Sequence, residues 1–146
     1  MDYDADGLEY IEDGNSVRVP YTDHNGVKTI AVKINGTICT EMIFDSGCSG
    51  STISLKEAKY LASIGKLTED DYQGTAKASI ADGSIIDNMV FNIKSLIIAE
   101  SLECPDVKVT VSESASAPLL LGNEVLDRLA KYTVDNEKKE IIFDLK

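Results

Sequence analysis

The residues best able to do chemistry lie in Ile43-Phe44-Asp45-Ser46-Gly47-Cys48-Ser49-Gly50-Ser51-Thr52-Ile53-Ser54, where one carboxylate stands between an apolar stretch and a run of small residues. Thr37 to Phe44 reads as a β-strand that turns wholly apolar at its end, so the chain is entering a core when Asp45 arrives. An ionised, unpaired carboxylate is too costly to bury, so Asp45 is expected either to be neutralised or to have a partner. Ser46-Gly47 predicts a tight loop with exposed backbone. Ser54 before Leu55-Lys56-Glu57 predicts a helix N-cap, with Glu57 closing a capping box.

Elimination also points to carboxylates. His24 is the single histidine, in the polar, turn-like stretch Tyr21 to Gly26. Serine and cysteine hydrolases usually depend on a histidine base, and zinc hydrolases usually on at least two imidazoles. Cys39, Cys48 and Cys104 have no Cys-x-x-Cys spacing and cannot complete a disulfide framework, so they are expected to be reduced and mostly buried. Neither a metal nor a cofactor is expected. Cys48 as a nucleophile lacks a histidine nearby in sequence. Two carboxylates that share one proton suffice for hydrolysis, since one takes a proton from water while the other gives one to the carbonyl oxygen.

Asp45-Ser46-Gly47, with Ile43-Phe44 before it and Ile53-Ser54 leading into a helix, resembles the active-site loop of the retropepsin-like aspartic proteases, the single-lobe bacterial and retroviral type. Leu119-Leu120-Leu121-Gly122-Asn123-Glu124-Val125-Leu126 resembles that family's second signature, an apolar strand ending in glycine before a short helix. The resemblance runs from about Val17 to the C-terminus. It implies a mainly β, single-lobe acid-protease fold, closed and barrel-like, with one or two short helices. It also implies catalytic roles for Asp45, Ser46 and Gly47, with Leu121 and Gly122 supporting them. One Asp-Ser-Gly per chain implies a homodimer, in which a residue on the two-fold axis meets its own copy. Ser46 would then hydrogen-bond across the axis, and the substrate would be a protein or peptide bound extended. The departure is Cys48, where retroviral enzymes usually carry Ala and pepsin-type enzymes Ser or Thr.

The elements that must position these residues follow from the rest of the chain. At 146 residues it is one domain, able to bury a core without staples. Residues 1–13 hold six acidic side chains and no basic one, so 1–16 is expected to be a solvated, mobile arm, with 17–146 as the domain. Val17 to Tyr21 predicts an edge strand because Pro20 suits no central one. Thr29 to Ile34 alternates, and Asn35-Gly36 predicts the hairpin turn whose second strand delivers Asp45. Leu55 to about Ile64 has helical spacing, stopped by Gly65, and Leu67 to Tyr72 is a connecting loop with room for one helical turn.

Thr75 to Ile80 and Ser84 to about Ile93 flank Ala81-Asp82-Gly83 as a hairpin, which by resemblance is the substrate-covering flap; an acidic tip would favour a basic substrate side chain. Ile93 to Ile98 and Val107 to Val111 are expected to be further strands, and Ser112 to Pro118 a flexible loop. Asn123 is expected to cap a helix to about Ala130, before a final hairpin of Tyr132 to Val134 and Ile141 to Phe143.

A formal charge of −11 excludes a phosphate-binding surface, so no nucleic-acid partner is expected. No stretch approaches the roughly 20 apolar residues of a membrane span, and the first residues lack a signal-peptide pattern. The compartment stays open between cytoplasmic and exported. Two other readings stand beside the enzyme: a non-catalytic retropepsin-fold module for dimerisation or peptide binding, and an acidic β-rich interaction domain with a chance Asp-Ser-Gly.

Overall fold

A computed structural model describes residues 16–79, 82–114 and 118–146. The elements run β1 (Ser16–Pro20), β2 (Thr22–His24), β3 (Val27–Ile34), β4 (Ile38–Phe44), β5 (Ser51–Ser54), α1 (Leu55–Ser63), β6 (Tyr72–Ser79), β7 (Ile85–Ile98), β8 (Leu102–Ser112), β9 (Leu120–Leu121), α2 (Asn123–Leu126), β10 (Leu129–Asp135) and β11 (Glu140–Leu145). A 3₁₀ turn, Glu69–Asp71, joins α1 to β6. The fold is therefore mainly β with two short helices.

Eight strands form one sheet in the order β2-β3-β4-β9-β5-β8-β7-β6, and β3 also pairs with β7. That extra ladder, Val32↔Ile98 to Ile34↔Leu96, closes β3, β4, β9, β5, β8 and β7 into a barrel-like ring of paired strands, with β2 and β6 left as edge strands. Alternation explains the filling: Ile30, Val32 and Ile34 of β3 and Val107, Val109 and Val111 of β8 are buried, together with Met42, Ile53, Ile93 and Leu121. A second sheet, β1-β11-β10, packs Val17, Val19, Ile141 and Phe143 into the same core.

Local signals behave as their chemistry dictates. Asn35 and Gly36 both adopt positive φ (49° and 70°), and Thr37 N–H donates to Ile34 O at 3.0 Å, the turn whose twist matches its strands. Ser54 and Glu57 form the capping box, and α1 ends as a Schellman motif in which Gly65 N–H reaches Ala62 O and Lys66 N–H reaches Leu61 O. β1 is indeed an edge strand, paired with β11 alone.

Several expectations need correction. Ser16 belongs to β1, opposite Asp144, and not to an arm; residues 1–15 lie outside the described residues. β7 is one fourteen-residue strand where two were expected, because it changes partner midway: its first half pairs with β6 and its second with β8. β8 begins at Leu102 rather than Val107. It follows a tight turn in which Ala99 and Glu100 take φ of 52° and 61° without glycine or asparagine. Of the cysteines, Cys104 is buried, Cys48 half-buried and Cys39 exposed on the outer face of β4, so the set is not mostly buried. α2 covers Asn123–Leu126 with Gly122 at its N-cap, so Asn123 does not cap it and it stops well before Ala130. Residues 115–117 of the expected flexible loop lie outside the described residues.

Candidate active site

Asp45 follows the last residue of β4, half-exposed. Phe44 before it is fixed from below: its ring meets Tyr132 edge-on at 5.1 Å and stacks on Phe143 at 6.5 Å. The terminal sheet thus supports the strand end that carries the carboxylate. Beside β4 runs the short β9, in parallel, with Ile43 N–H on Leu119 O at 2.8 Å and Asp45 N–H on Leu121 O at 3.1 Å.

Beyond Asp45 the chain turns sharply. Cys48 N–H donates to Asp45 O at 3.2 Å, and Gly47 N–H donates to Asp45 Oδ1 at 3.0 Å, so one carboxylate oxygen takes a backbone donor from its own loop. A Cβ on Gly47 would lie 3.3 Å from that oxygen, so a side chain there would press on the carboxylate. The Cys48 thiol donates to Gly50 O at 3.3 Å. Ser46 is exposed, and its hydroxyl makes no hydrogen bond among the described residues.

The second motif holds this loop. Asn123 N–H reaches Cys48 O at 2.8 Å, Glu124 N–H reaches Ser49 O at 2.9 Å, and Gly122 N–H reaches the buried Ser51 Oγ at 3.1 Å. These are α2's first amides, which no helical carbonyl can satisfy, so the loop carbonyls and the helix start complete one another. The approach is so close that a Cβ on Gly122 would lie 2.3 Å from Gly50 O and 2.8 Å from Cys48 O. The Asn123 amide is spent on the loop, with Nδ2 donating to Ser46 O at 2.8 Å, which explains why it is not a cap. Sequence reading missed this contact. Its signal was a hydrogen-bonding side chain directly after a glycine forced against the loop.

The structure therefore brings together Asp45, Ser46 and Gly47 with Leu121 and Gly122. Asp82 and Gly83 sit at the β6–β7 turn, Gly83 with φ of 89°, while Ala81 lies outside the described residues. Asp82 accepts from Ser84 N–H at 2.8 Å and from the Ser84 hydroxyl, and these bonds hold its carboxyl below the usual range. That carboxylate is committed to its own turn. His24 is on the exposed β2 edge, 4.0 Å from Glu41. Among the described residues no group of three or more His, Cys, Asp or Glu is gathered to hold a metal. No helix of the described residues is long and apolar enough to cross a membrane.

A crystal structure of a retropepsin-like aspartic protease from Rickettsia conorii has the same fold, with a TM-score of 0.63 at 18% identity, covering 89% of this chain and 90% of that one. No curated protein matches the sequence. The sequence profile of the gag-polyprotein putative aspartyl proteases, in contrast, matches residues 30–128, which hold both the Asp45 loop and the glycine that locks it. With that match spanning more than half of its length, the chain belongs to the gag-polyprotein putative aspartyl protease family.

Proposed function

We propose that this chain is an aspartic endopeptidase that works as a homodimer, with Asp45 of each protomer flanking a lytic water. The observation that carries the reading is the Asp45 loop itself: a half-exposed carboxylate on a backbone fastened from both sides by β9 and α2. One protomer supplies one such carboxylate, and proton exchange needs two. At about 3 Å separation like charges cannot both ionise, so the pair holds one proton. The ionised member takes a proton from water as its oxygen attacks the peptide carbonyl; the protonated member gives its proton to the carbonyl oxygen. Collapse of the tetrahedral diol breaks the C–N bond: the carboxyl that took the water proton gives it to the leaving amine, and the other carboxylate takes a diol proton, which returns the pair to one shared proton.

Ser46 would donate across the axis and keep the two loops in register, a role consistent with its exposed, unengaged hydroxyl. The β6–β7 hairpin, with Asp82 and Gly83 at its turn, would cover a peptide lying extended, whose alternate side chains enter pockets on either side. Because Asp82 is already hydrogen-bonded to Ser84, a basic preference would come from its remaining exposed oxygen; Asp82→Ala leaving the cleavage preference unchanged would remove that part.

The test is cleavage of an unbiased peptide mixture between pH 4 and 8 by the purified chain and by Asp45→Asn, at concentrations that populate a dimer. Scissions that vanish in Asp45→Asn are expected. If both proteins are equally inert while folded and dimeric, the proposal fails and the chain is a non-catalytic peptide-binding or dimerisation module.

A further inference from the structure

Asn123 makes two hydrogen bonds to the Asp45 loop with two different donors: its backbone N–H to Cys48 O at 2.8 Å and its side-chain Nδ2 to Ser46 O at 2.8 Å. The second bond falls on a particular peptide unit. Ser46 C=O and Gly47 N–H belong to one planar, trans peptide group, so they point in opposite directions and cannot rotate independently. The far end of that group, Gly47 N–H, is the donor to Asp45 Oδ1 at 3.0 Å. Asn123 Nδ2, the Ser46–Gly47 peptide and the Asp45 carboxylate thus form one chain of hydrogen bonds.

We infer that Asn123 is a positioning residue for the Asp45 carboxylate, acting through the Ser46–Gly47 peptide; as a claim about catalysis this rests on the proposed aspartic mechanism. The mechanism is geometric and electrostatic. Glycine 47 leaves this peptide plane free to turn, because no side chain restrains it on that side. The Asn123 amide holds the carbonyl end and so keeps the N–H end aimed at Oδ1. A donor on the carbonyl also polarises the peptide and strengthens its N–H as a donor. The loss of this bond should cost orientation and little stability, because Ser46 is exposed and water can satisfy its carbonyl. The second motif then does more than pack: it carries a side chain that sets the angle of the catalytic group.

Two readouts test this, one independent of activity. In Asn123→Leu the exchange of the Gly47 amide with deuterium, followed by NMR, should accelerate about fivefold or more, as expected for losing a support worth one hydrogen bond. The amides of Ile43 and Asp45, held by Leu119 O and Leu121 O, should keep their protection. In kinetics kcat should fall about five- to tenfold with KM within about twofold, since the change touches the reacting group and not the bound peptide. Asn123→Gln, which keeps the amide, should recover part of the loss. Asn123→Asp, which faces the carbonyl with an acceptor, should lose more than Leu.

Unchanged Gly47 exchange in a folded Asn123→Leu overturns the inference, as does equal loss of protection at Ile43, Asp45 and Gly47, which marks general loosening. Where Asn123→Leu does not fold, Asn123→Gln and Asn123→Asp decide: equal kcat and equal Gly47 exchange in those two overturn it. If the unaltered chain shows no Asp45-dependent cleavage, the proposed function falls, and Gly47 exchange still decides whether Asn123 orients the loop.

Discussion

Gly122→Ala is the sharpest single perturbation the structure offers. The added Cβ would lie 2.3 Å from Gly50 O, 2.7 Å from Gly50 C and 2.8 Å from Cys48 O, all of them backbone atoms with no rotamer to move aside. Ordinary contact starts near 3.4 Å, so α2 and the loop must part by about 1 Å. Such a shift breaks or stretches the bonds from Gly122 N–H to Ser51 Oγ, Asn123 N–H to Cys48 O and Glu124 N–H to Ser49 O. At about 1 kcal/mol each, the expected destabilisation is roughly 2–4 kcal/mol. Under the proposed mechanism, the same displacement at the Asp45 loop should reduce kcat about a hundredfold or more. Gly50→Ala is the control, because a Cβ there meets nothing within 4 Å and its φ lies outside the left-handed region. Urea unfolding and peptide cleavage of both variants form the assay. The reasoning is refuted if Gly122→Ala matches Gly50→Ala to within about 0.5 kcal/mol and retains activity.

Phe44→Ala removes the aromatic contacts to Tyr132 and Phe143 and should cost about 2–3 kcal/mol, less than a fully buried phenylalanine because Phe44 is half-buried; chemical denaturation reads it. Cys48→Ser exchanges a weak donor to Gly50 O for a strong one and should raise stability by up to about 1 kcal/mol in urea unfolding; a midpoint that stays put or falls counts against it. Burial pushes the Cys104 thiol above its ordinary value of 9.0, with nearby Arg128 opposing less strongly. The unfolded chain therefore loses that proton first, so the thiol's contribution to stability is full below pH 9 and fades as pH rises through the higher folded value. Urea midpoints compared at pH 8 and above 10 should show a fall that Cys104→Val reduces, and native-state thiol labelling should reach the exposed Cys39 well before Cys104.

Much of this protein is local and therefore readable in one dimension. Asn35-Gly36 needs only its own φ angles to make the turn before β4, and Ser54 with Glu57 needs only three residues' separation to start α1. Asp45, Ser46 and Gly47 were legible through resemblance to a family loop, and only together with the second motif at Leu119 to Leu126. The β8 start was hidden because Pro105 and Asp106, with φ of 53° at Asp106, lack strand chemistry of their own, although Pro105 pairs with Ser95 of β7 and the strand runs on through both. The long β7 was likewise unreadable, since its continuity comes from two different partners and not from its own pattern.

By itself the sequence determined the strands and turns of a mainly β lobe, because periodicity and turn chemistry are properties of neighbouring residues; its resemblance to a family picked out the candidate carboxylate and the glycine motif that accompanies it. Tertiary structure alone decided what that motif does. Gly122 and Gly50 are 72 positions apart in the chain yet touch, Phe44 rests on the terminal sheet through Tyr132 and Phe143, and Asn123 spends its amide on Ser46 instead of on its own helix. Each of these is a long-range contact, and a long-range contact has no local signature: it exists because closing the barrel through β3 and β7 and threading β9 between β4 and β5 leaves α2 one place to stand.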